Sequence, residues 1–308
     1  PIGWSQQVRA FSGTRWGLLV LPLVTTVVLV SLAFVLRARR DLGAGMLADR
    51  AGPAEGRISS TWGLSWRLQR PALLAWIVAA MLMGLVLGSV ADSISSFFDT
   101  PGMAEFLERL GGRQALVDAF LAAELGIIGS LVAAYGITAA RWLRAGEEGG
   151  RTENVLATAT TRRRWATSHA VLALLGVAVL TALVGMAIGL GHALSIGEPE
   201  QVWRLALAAT SRIPAAWVMV GLAVAIWGFW PRLSAAVWVL FVAFLVMGEF
   251  GVLWDIPEWV RTLSPFAHSP VVPGPDPSYL GIPVMLVIAG GLVVLGIARF
   301  ARRDVVSA

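Results

Sequence analysis

The sequence predicts an all-α polytopic membrane protein with about seven transmembrane helices. Several runs of about twenty apolar residues carry almost no charge, and each is long enough to cross the hydrocarbon core as a helix. Hydrophobic residues make up 57% of the 308 residues and charged residues only 14%, whereas soluble domains carry roughly a quarter charged residues. The arginines are concentrated in the polar segments between the apolar runs. These three observations define the fold class.

The first predicted span covers residues 16–36 and is followed by a polar linker rich in Gly, Ala and Arg. The stretch 59–70 then predicts an interfacial helix, because two tryptophans one helical turn apart and two arginines suit a helix lying on the membrane surface. The residues of this helix that carry the prediction are Trp62, Trp66, Arg67 and Arg70. Pro71 is expected in the first turn of the next helix, where proline is favoured.

Six further apolar runs predict the remaining spans. They cover residues 71–90, 117–140, 169–190, 213–230, 234–254 and 284–297. Within the fourth of the seven spans, Gly185 and Gly189 have the small-xxx-small spacing that predicts close contact between helices. The stretch between 191 and 212 is predicted as a loop, and only three residues separate the fifth span from the sixth.

Composition excludes several kinds of chemistry. The chain has no cysteine, which excludes disulfides, iron–sulfur clusters and thiol catalysis. All 24 of its basic residues are arginine, so it lacks the lysine of a Walker-type phosphate loop and is not itself a P-loop ATPase. The three histidines lie far apart in sequence and form no metal-ligand motif, so no metal site is expected. Nucleic-acid binding is not expected, since membrane topology explains the arginines.

A polar island at residues 141–168 separates two long apolar runs. It holds six arginines and three glutamates, and a short helix is predicted at its centre, with Thr152 as the N-cap and Glu153 in the first turn. A helix this short is not stable alone in water, so either the membrane surface or a docked partner must hold it. The alternative is an ordinary basic loop, but topology alone does not require its acidic residues.

Counting arginines predicts the orientation. If the island is cytoplasmic, the inside segments hold 17 arginines and the outside segments hold 7, as the positive-inside rule requires. The C-terminus is then cytoplasmic. The sequence ARRD occurs at 38–41 and again at 301–304, each time just after an apolar run. This echo predicts that residues 1–58 are the last helix of a preceding half and its linker, and that residues 59–308 form a complete second half.

The stretch 255–283 contains seven prolines and is predicted to form short broken pieces at the membrane edge. It includes Phe266 and His268, which are candidates for a gate. Two carboxylates, Glu124 and Glu249, fall inside apolar runs, where charge is costly and by default marks function. They are interpreted either as an acidic spot for cationic amphiphilic substrates or, as we favour, as ion-pair partners or as side chains that snorkel to the outer interface. The candidate pairing residues are Arg204, Arg212 and Arg261.

The order of these parts resembles the permease half of type-2 ABC exporters. Several stretches of the sequence are also similar to sequences of actinobacterial permeases of the tetronasin and polyketide-antibiotic (multidrug) exporter group. The stretches that carry this resemblance are RRDLGAGMLADRAGPAE, SWRLQRPALLAW, GEEGGRTENVLATATTRRRWATSH, SPFAHSPVVPG and the terminal FARRD. The resemblance covers essentially the whole chain and identifies it as the C-terminal half of such a permease.

The resemblance implies roles for three segments. The loop 141–168 would carry a coupling helix that seats in a separate ATP-binding subunit, which is expected as a dimer. The coupling residues would be Glu147, Glu148, Arg151, Glu153, Leu156, Arg162, Arg163 and Arg164. The stretch 59–70 would be a connecting helix, and 255–283 would form extracytoplasmic gate helices. ATP and Mg²⁺ would bind to the partner, so this chain is expected to hold no cofactor and no catalytic site.

The function that this resemblance implies is export of antibiotic- or drug-like amphiphiles across a bacterial plasma membrane. A first permease half, in the same chain or another, would complete the pathway. Export of a lipid or polysaccharide is the alternative cargo. An ATP-independent secondary transporter is a further alternative, disfavoured because midplane charges and unwound glycine motifs are scarce in the sequence. A lipid-modifying membrane enzyme is disfavoured because no catalytic motif is present.

Overall fold

The computed structural model describes residues 15–38, 60–96 and 112–303, and within these ranges every regular element is a helix. The chain divides into two compact units, Pro1–Arg57 and Ile58–Ala308. In the first unit a 3₁₀ turn, Trp16–Leu19, leads into helix α1, Val20–Ala38. The predicted span at 16–36 is therefore helical. Its assignment to a preceding half stays a prediction, because half of the ARRD echo, residues 39–41 and 304, lies outside the described residues.

The second unit contains ten α-helices among its described residues. Their bounds are α2 Thr61–Ser96, α3 Gly112–Ala140, α4 Trp142–Glu148, α5 Arg151–Leu156, α6 Arg162–Ile196, α7 Glu200–Thr210, α8 Ile213–Phe229, α9 Ala236–Glu249, α10 Glu258–Arg261 and α11 Gly281–Arg302. Two 3₁₀ turns, Pro231–Leu233 and Pro265–His268, complete the list of helical elements. The core lies where α3, α6 and α8 pack together, and α8 is enclosed along most of its length.

The all-α membrane class predicted from the sequence is confirmed. Six helical segments in the described part of the chain are long and apolar enough to cross a bilayer. The sixth predicted span, 234–254, is shorter than expected, because helix α9 has 14 residues and ends at Glu249. At 1.5 Å per residue such a helix extends only about 21 Å, less than the roughly 30 Å of the hydrocarbon core.

The predicted division between an interfacial helix at 59–70 and a span beginning at Pro71 is wrong. Residues 61–96 form the single helix α2, and Pro71 lies inside it. Three polar residues spaced four apart, Thr61, Ser65 and Gln69, are buried on one face of this helix. The Ser65 hydroxyl lies 2.8 Å from that of Ser168 on α6, so polar contacts to α6 hold the first turns of α2 in place.

The stretch predicted as a loop between 191 and 212 is also largely helical. Helix α6 continues to Ile196, and α7 then turns back and packs along it. The two helices approach at Gly185 and Gly189, where an added Cβ would meet the backbone of α7. The close contact predicted from the spacing of these glycines is therefore present. The sequence lacked a span-length apolar run here because α7 has only 11 residues.

The proline-rich stretch 255–283 is broken, as predicted. It contains only the four-residue helix α10 and the 3₁₀ turn Pro265–His268 before α11 begins. Ser264 anchors the turn, because its hydroxyl donates to the Phe244 carbonyl of α9 at 2.7 Å and accepts from the Phe266 amide. The turn is thereby fixed against α9.

Candidate functional site

The polar island folds into a helical hairpin, formed by α4 and α5, between the ends of α3 and α6. The two short helices are joined by Gly149 and Gly150, and Gly150 has a φ of +65°, a conformation that glycine adopts without steric cost. Helix α5 begins at Arg151 rather than after Thr152, so the predicted N-cap is displaced by two residues. Thr152 is instead buried and packs against Gly146 of α4. This contact closes the hairpin.

Glu147 is buried beneath the hairpin rather than displayed on it. Its side chain is 5% exposed, and its carboxylate forms an ion pair at 2.5 Å with the Arg303 guanidinium at the end of α11. It also accepts a hydrogen bond of 3.1 Å from the indole Nε1 of Trp227 on α8. A charged group withdrawn from water is stable only when it is paired and hydrogen-bonded, and Glu147 meets both conditions. It was predicted as a docking residue, and the structure places it inside the unit, in contact with α8 and the end of α11.

Arg303 completes this anchor from the other side. Its guanidinium lies over the rings of Trp227 and Phe300 at 5.7 and 5.6 Å from their centroids, within cation–π range, and donates to the Trp227 carbonyl. Arg162, at the start of α6, donates to the backbone carbonyl of Arg303. We call Glu147, Trp227, Phe300 and Arg303 the inner clamp, because they join the hairpin to the ends of α8 and α11.

The remaining predicted coupling residues are distributed over the hairpin surface and the start of α6. Leu156 and Arg162 are half-buried. The exposed members carry both signs of charge: Glu148, Arg151, Glu153, Arg163 and Arg164. Glu148 also pairs with Arg144, one turn earlier on α4, at 2.9 Å. The sequence set therefore separates into an internal group at Glu147 and Arg162 and an exposed, mixed-charge group.

A cleft of about 430 Å³ lies between the hairpin and the N-terminal end of α2, lined by Leu64, Asn154, Val155 and Thr158 among others. The first turns of α2 flank it, and they lean on α6 through Gln69, whose amide nitrogen lies 3.1 Å from His169 Nδ1. The predicted connecting-helix residues lie on the exposed face of α2. They are Trp62, Trp66, Arg67 and Arg70. The structure therefore brings the predicted connecting and coupling segments together at one end of the unit.

A second ionic cluster lies deeper in the helical bundle. Arg212, at the start of α8, faces Glu249, at the end of α9, with 3.8 Å between Nη1 and Oε1. Glu249 also accepts a hydrogen bond of 2.9 Å from Ser130 on α3. Gly126 and Gly129 of α3 leave the room that the two charged side chains occupy. The favoured pairing of Glu249 with an arginine is thus present, and we call Arg212 and Glu249 the central pair.

Ser130, Arg212 and Glu249 meet where α3 passes the start of α8 and the end of α9. Ser130 is about 15 Å along α3 from its end at Ala140, at 1.5 Å per residue. Arg212 directly precedes α8 and Glu249 is the last residue of α9, so both charged side chains lie at helix ends among packed helices.

Glu124 is buried on α3, and neither of its oxygens has a hydrogen-bond partner among the described residues. The ion pair predicted for it is absent from the described part of the chain. A different carboxylate on α3, Asp118, pairs with Arg204 of α7 at 2.7 Å. No sequence pattern singles out Asp118, because it sits at the edge of an apolar run and has no basic residue three or four positions away.

The two candidate gate residues lie on the turn Pro265–His268. Phe266 is buried and contacts the Phe241 ring edge-on at a centroid distance of 6.3 Å. His268 is exposed and its Nε2 donates to the Thr262 carbonyl at 2.8 Å. Beside this turn is an apolar cavity of about 580 Å³ between α8, α9 and the start of α11, lined by residues that include Leu222, Phe244, His268 and Ile288. We call it the outer cavity.

The described residues contain no group of three or more His, Asp and Glu side chains that could hold a metal ion. His169 is enclosed between Gln69 and the edge-on ring of Trp165. His192 is buried on α6, the helix that also carries His169. His268 lies on the turn Pro265–His268, which we call the gate turn. The contacts described above can hold opposite charges together and connect helices that are distant in sequence, and the outer cavity can hold apolar molecules.

Six span-length helical segments among the described residues, five of them in the second unit, define a multi-pass α-helical membrane protein. The family described as the C-terminal domain of the multidrug efflux system permease Rv1217c matches residues 58–301. The chain belongs to this family.

One curated relative is the multidrug efflux system permease protein Rv1217c of Mycobacterium tuberculosis (strain ATCC 25618 / H37Rv). The chain is 39% identical to it over 313 residues, which cover 99% of the chain and 56% of the relative. The chain therefore spans about half the length of the curated relative that it matches. The family match begins at residue 58, the first residue of the second compact unit.

Proposed function

We propose that the chain is the transmembrane permease part of an ATP-driven ABC exporter that moves antibiotic- or drug-like amphiphiles out of a bacterial cell. Membership of a multidrug efflux permease family supports the transport role. In this proposal the hydrolysis of ATP belongs to a separate ATP-binding subunit, expected as a dimer, which also holds ATP and Mg²⁺. The chain itself supplies no catalytic site, and a first permease half completes the pathway.

The observation that carries the proposal is the exposed, mixed-charge hairpin. Glu148, Arg151 and Glu153 are exposed at its tip, although positive-inside topology alone would need only basic residues there. Charges of both signs on a small surface fix the register of a partner, since each must meet its opposite. Two short helices held from beneath by the inner clamp present those charges in a defined geometry, as a docking surface requires.

The proposed orientation places the hairpin and the C-terminus in the cytoplasm, within the bacterial plasma membrane. The inner clamp brings Arg303 against the hairpin, so these two segments share one end of the unit. Both belong to the segments that hold 17 of the 24 arginines. The positive-inside rule assigns such an end to the cytoplasm, where a soluble ATPase would reach it.

The experiment reverses one exposed charge on the hairpin at a time. Glu148→Arg and Glu153→Arg are each expected to lower drug-stimulated ATP hydrolysis of the purified complex by about tenfold or more, because like charges facing each other at an interface cost several kcal/mol. Glu200→Arg is the matched control, since Glu200 is exposed at the start of α7, away from the hairpin. Full stimulation in both hairpin variants would refute the docking role.

The central pair favours a second candidate, an ATP-independent secondary transporter. Ionisable residues inside a membrane mark ion or substrate paths by default, and Arg212 and Glu249 both lie at breaks between helices. Dissipating the proton gradient while cellular ATP is held constant separates the two. Export continues under the ABC proposal and stops under the alternative. A lipid or polysaccharide cargo is tested in the same transport assay by competition with drug export.

A further inference from the structure

The inner clamp connects the hairpin to helices that are distant from it in sequence. Chain connectivity links the hairpin only to α3, which precedes it, and α6, which follows it. Glu147 adds a third connection, because its carboxylate holds Arg303 at the end of α11 and the Trp227 indole of α8. A movement imposed on the hairpin would therefore pull on α8 and α11 as well.

Helices α8 and α11 are packed closely enough to move as one body. Their backbones meet at glycine positions, so that a Cβ added at Gly296 would lie 2.5 Å from the Val224 carbonyl oxygen and 2.9 Å from the Ala225 Cα. A Cβ added at Gly221 would likewise meet the Ala289 backbone. The rings of Trp227 and Phe300 lie against each other at 4.3 Å beside the clamp. Close-packed interfaces of this kind transmit displacement because they have no free volume to absorb it.

The opposite end of the same helix pair forms two walls of the outer cavity. Val218 and Leu222 of α8 line it on one side, and Val284 and Ile288 of α11 on another. The other walls come from α9 and the gate turn, which are not part of the pair. A rigid displacement of α8 and α11 would therefore change the shape of this cavity while the hairpin and the clamp move with them.

We propose that Glu147 and Arg303 are positioning residues that transmit hairpin movement to the α8–α11 pair and thereby to the outer cavity. This inference rests on the proposed function, since it assumes that an ATP-binding subunit moves the hairpin. It assigns Glu147 a task different from docking. The exposed glutamates bind the partner, and the buried one transmits its movement.

The experiment replaces the ionic contact by a covalent one. The chain has no cysteine, so Glu147→Cys/Arg303→Cys introduces a single pair that a short bifunctional thiol reagent can bridge. The complex is reconstituted into vesicles, and the amount of drug transported per ATP hydrolysed is measured before and after cross-linking. Asp118→Cys/Arg204→Cys is the matched control, because it removes another interhelical ion pair that lies away from the hairpin.

Without the cross-link, the Glu147/Arg303 variant is expected to transport roughly fivefold less drug per ATP, or lower still, since allosteric coupling energies start at about 1 kcal/mol. Cross-linking is expected to restore the ratio to within about twofold of the wild-type ratio. The control pair is expected to show no response to the reagent. A restoring cross-link is not expected of a merely structural contact, whose loss would lower thermal stability and leave the ratio unchanged.

Two results would overturn the proposal. One is an unchanged ratio in the variant without the cross-link, and the other is a cross-link that leaves the ratio low. If the wild-type complex itself shows no ATP-driven transport, the proposed function fails and the clamp's role fails with it. An ATP-driven wild-type complex with an insensitive Glu147/Arg303 pair overturns the clamp alone. Glu147→Gln, which keeps an acceptor for Trp227 and loses the charge, must lower the ratio in the same direction.

Discussion

The inner clamp and the central pair are both built from one glutamate and one arginine, yet they are held very differently. In the clamp the two side chains are in direct hydrogen-bonding contact, and Glu147 also receives the Trp227 N–H. In the central pair the charged atoms of Arg212 and Glu249 are 3.8 Å apart, and Ser130 supplies the hydrogen bond to the carboxylate. Both carboxylates are largely withdrawn from solvent.

This difference indicates two mechanical roles. A charge that is bonded by several groups holds its partners at a fixed distance, because each added hydrogen bond restricts the geometry. A looser pair with one strong contact restricts the distance between its helices less, although each charge left alone inside the bundle is expensive. The clamp is suited to transmit movement, whereas the central pair holds the start of α8 and the end of α9 less tightly.

The largest effect is expected at the central pair. Arg212→Met leaves Glu249 with Ser130 as its single close partner among the described residues, and breaking a buried pair costs about 3–5 kcal/mol. The free energy of unfolding in mixed micelles measures this loss. The double variant Arg212→Met/Glu249→Met should recover most of it, since no charge is then stranded. A double variant as unstable as the single one would contradict the pairing.

A smaller effect is expected when the clamp loses its arginine. Arg303→Met leaves Glu147 with the Trp227 N–H and with Arg144 at 3.7 Å, so the carboxylate keeps a hydrogen bond and a nearby positive charge. We expect a loss of about 1.5–3 kcal/mol, the usual worth of a hydrogen bond to a charged group. The same unfolding measurement applies. A larger loss of unfolding free energy for Arg303→Met than for Arg212→Met would contradict the expected difference between the two clusters.

The close contact between α8 and α11, which the inner clamp adjoins, is tested at Gly296. Gly296→Ala forces a Cβ against the α8 backbone and should cost about 1–3 kcal/mol through overpacking. Gly290→Ala is the control on the same helix, because nothing lies within 4 Å of the added atom. The control should be neutral or slightly stabilising, since alanine favours helix by about 1 kcal/mol over glycine. Equal thermal stability of the two variants would argue against the close α8–α11 contact.

The smallest effect is expected at Trp227. Trp227→Phe keeps an aromatic ring beside Phe300 and Arg303 but removes the indole N–H that Glu147 accepts. Removing one hydrogen bond to a carboxylate that keeps its ion pair should cost about 1.5 kcal/mol, the lower end of the range for bonds to charged groups. Thermal unfolding followed by fluorescence of the other tryptophans measures it. A loss larger than that of Arg303→Met would mean that the indole, rather than the arginine, holds the carboxylate.

The sequence was sufficient to predict the fold class, because a run of about twenty apolar residues by itself indicates a helix that spans a membrane. Hydropathy located the spans containing α3, α6, α8 and α11 with each end within seven residues of the helix end, and the counts of arginine grouped segments that the structure brings to one end. One error of fold came from reading a local signal alone. Pro71 looked like a helix start, but Ser65 and Gln69 pack against α6 and continue the helix through it.

The site was only partly predictable, because its contacts join residues far apart in the chain. Glu147 and Arg303 are separated by 156 positions, and no local pattern distinguishes Glu147 from its exposed neighbour Glu148. The difference appears only when α8 and α11 fold against the hairpin and cover one of the two. The central pair was one of three pairings left open, and the position of α7 selects it. The roles of the exposed residues stay predictions.

The most direct test of the proposed docking of an ATPase on the hairpin is to purify the chain gently from membranes and identify what accompanies it. A P-loop ATPase is expected in stoichiometric amount; it should be lost from Glu148→Arg/Glu153→Arg and retained with Glu200→Arg. The inner clamp keeps the hairpin folded in all three proteins, so the loss would report docking. A wild-type chain that purifies without an ATPase, or a double variant that keeps it fully, would contradict the claim that this hairpin couples the permease to ATP hydrolysis.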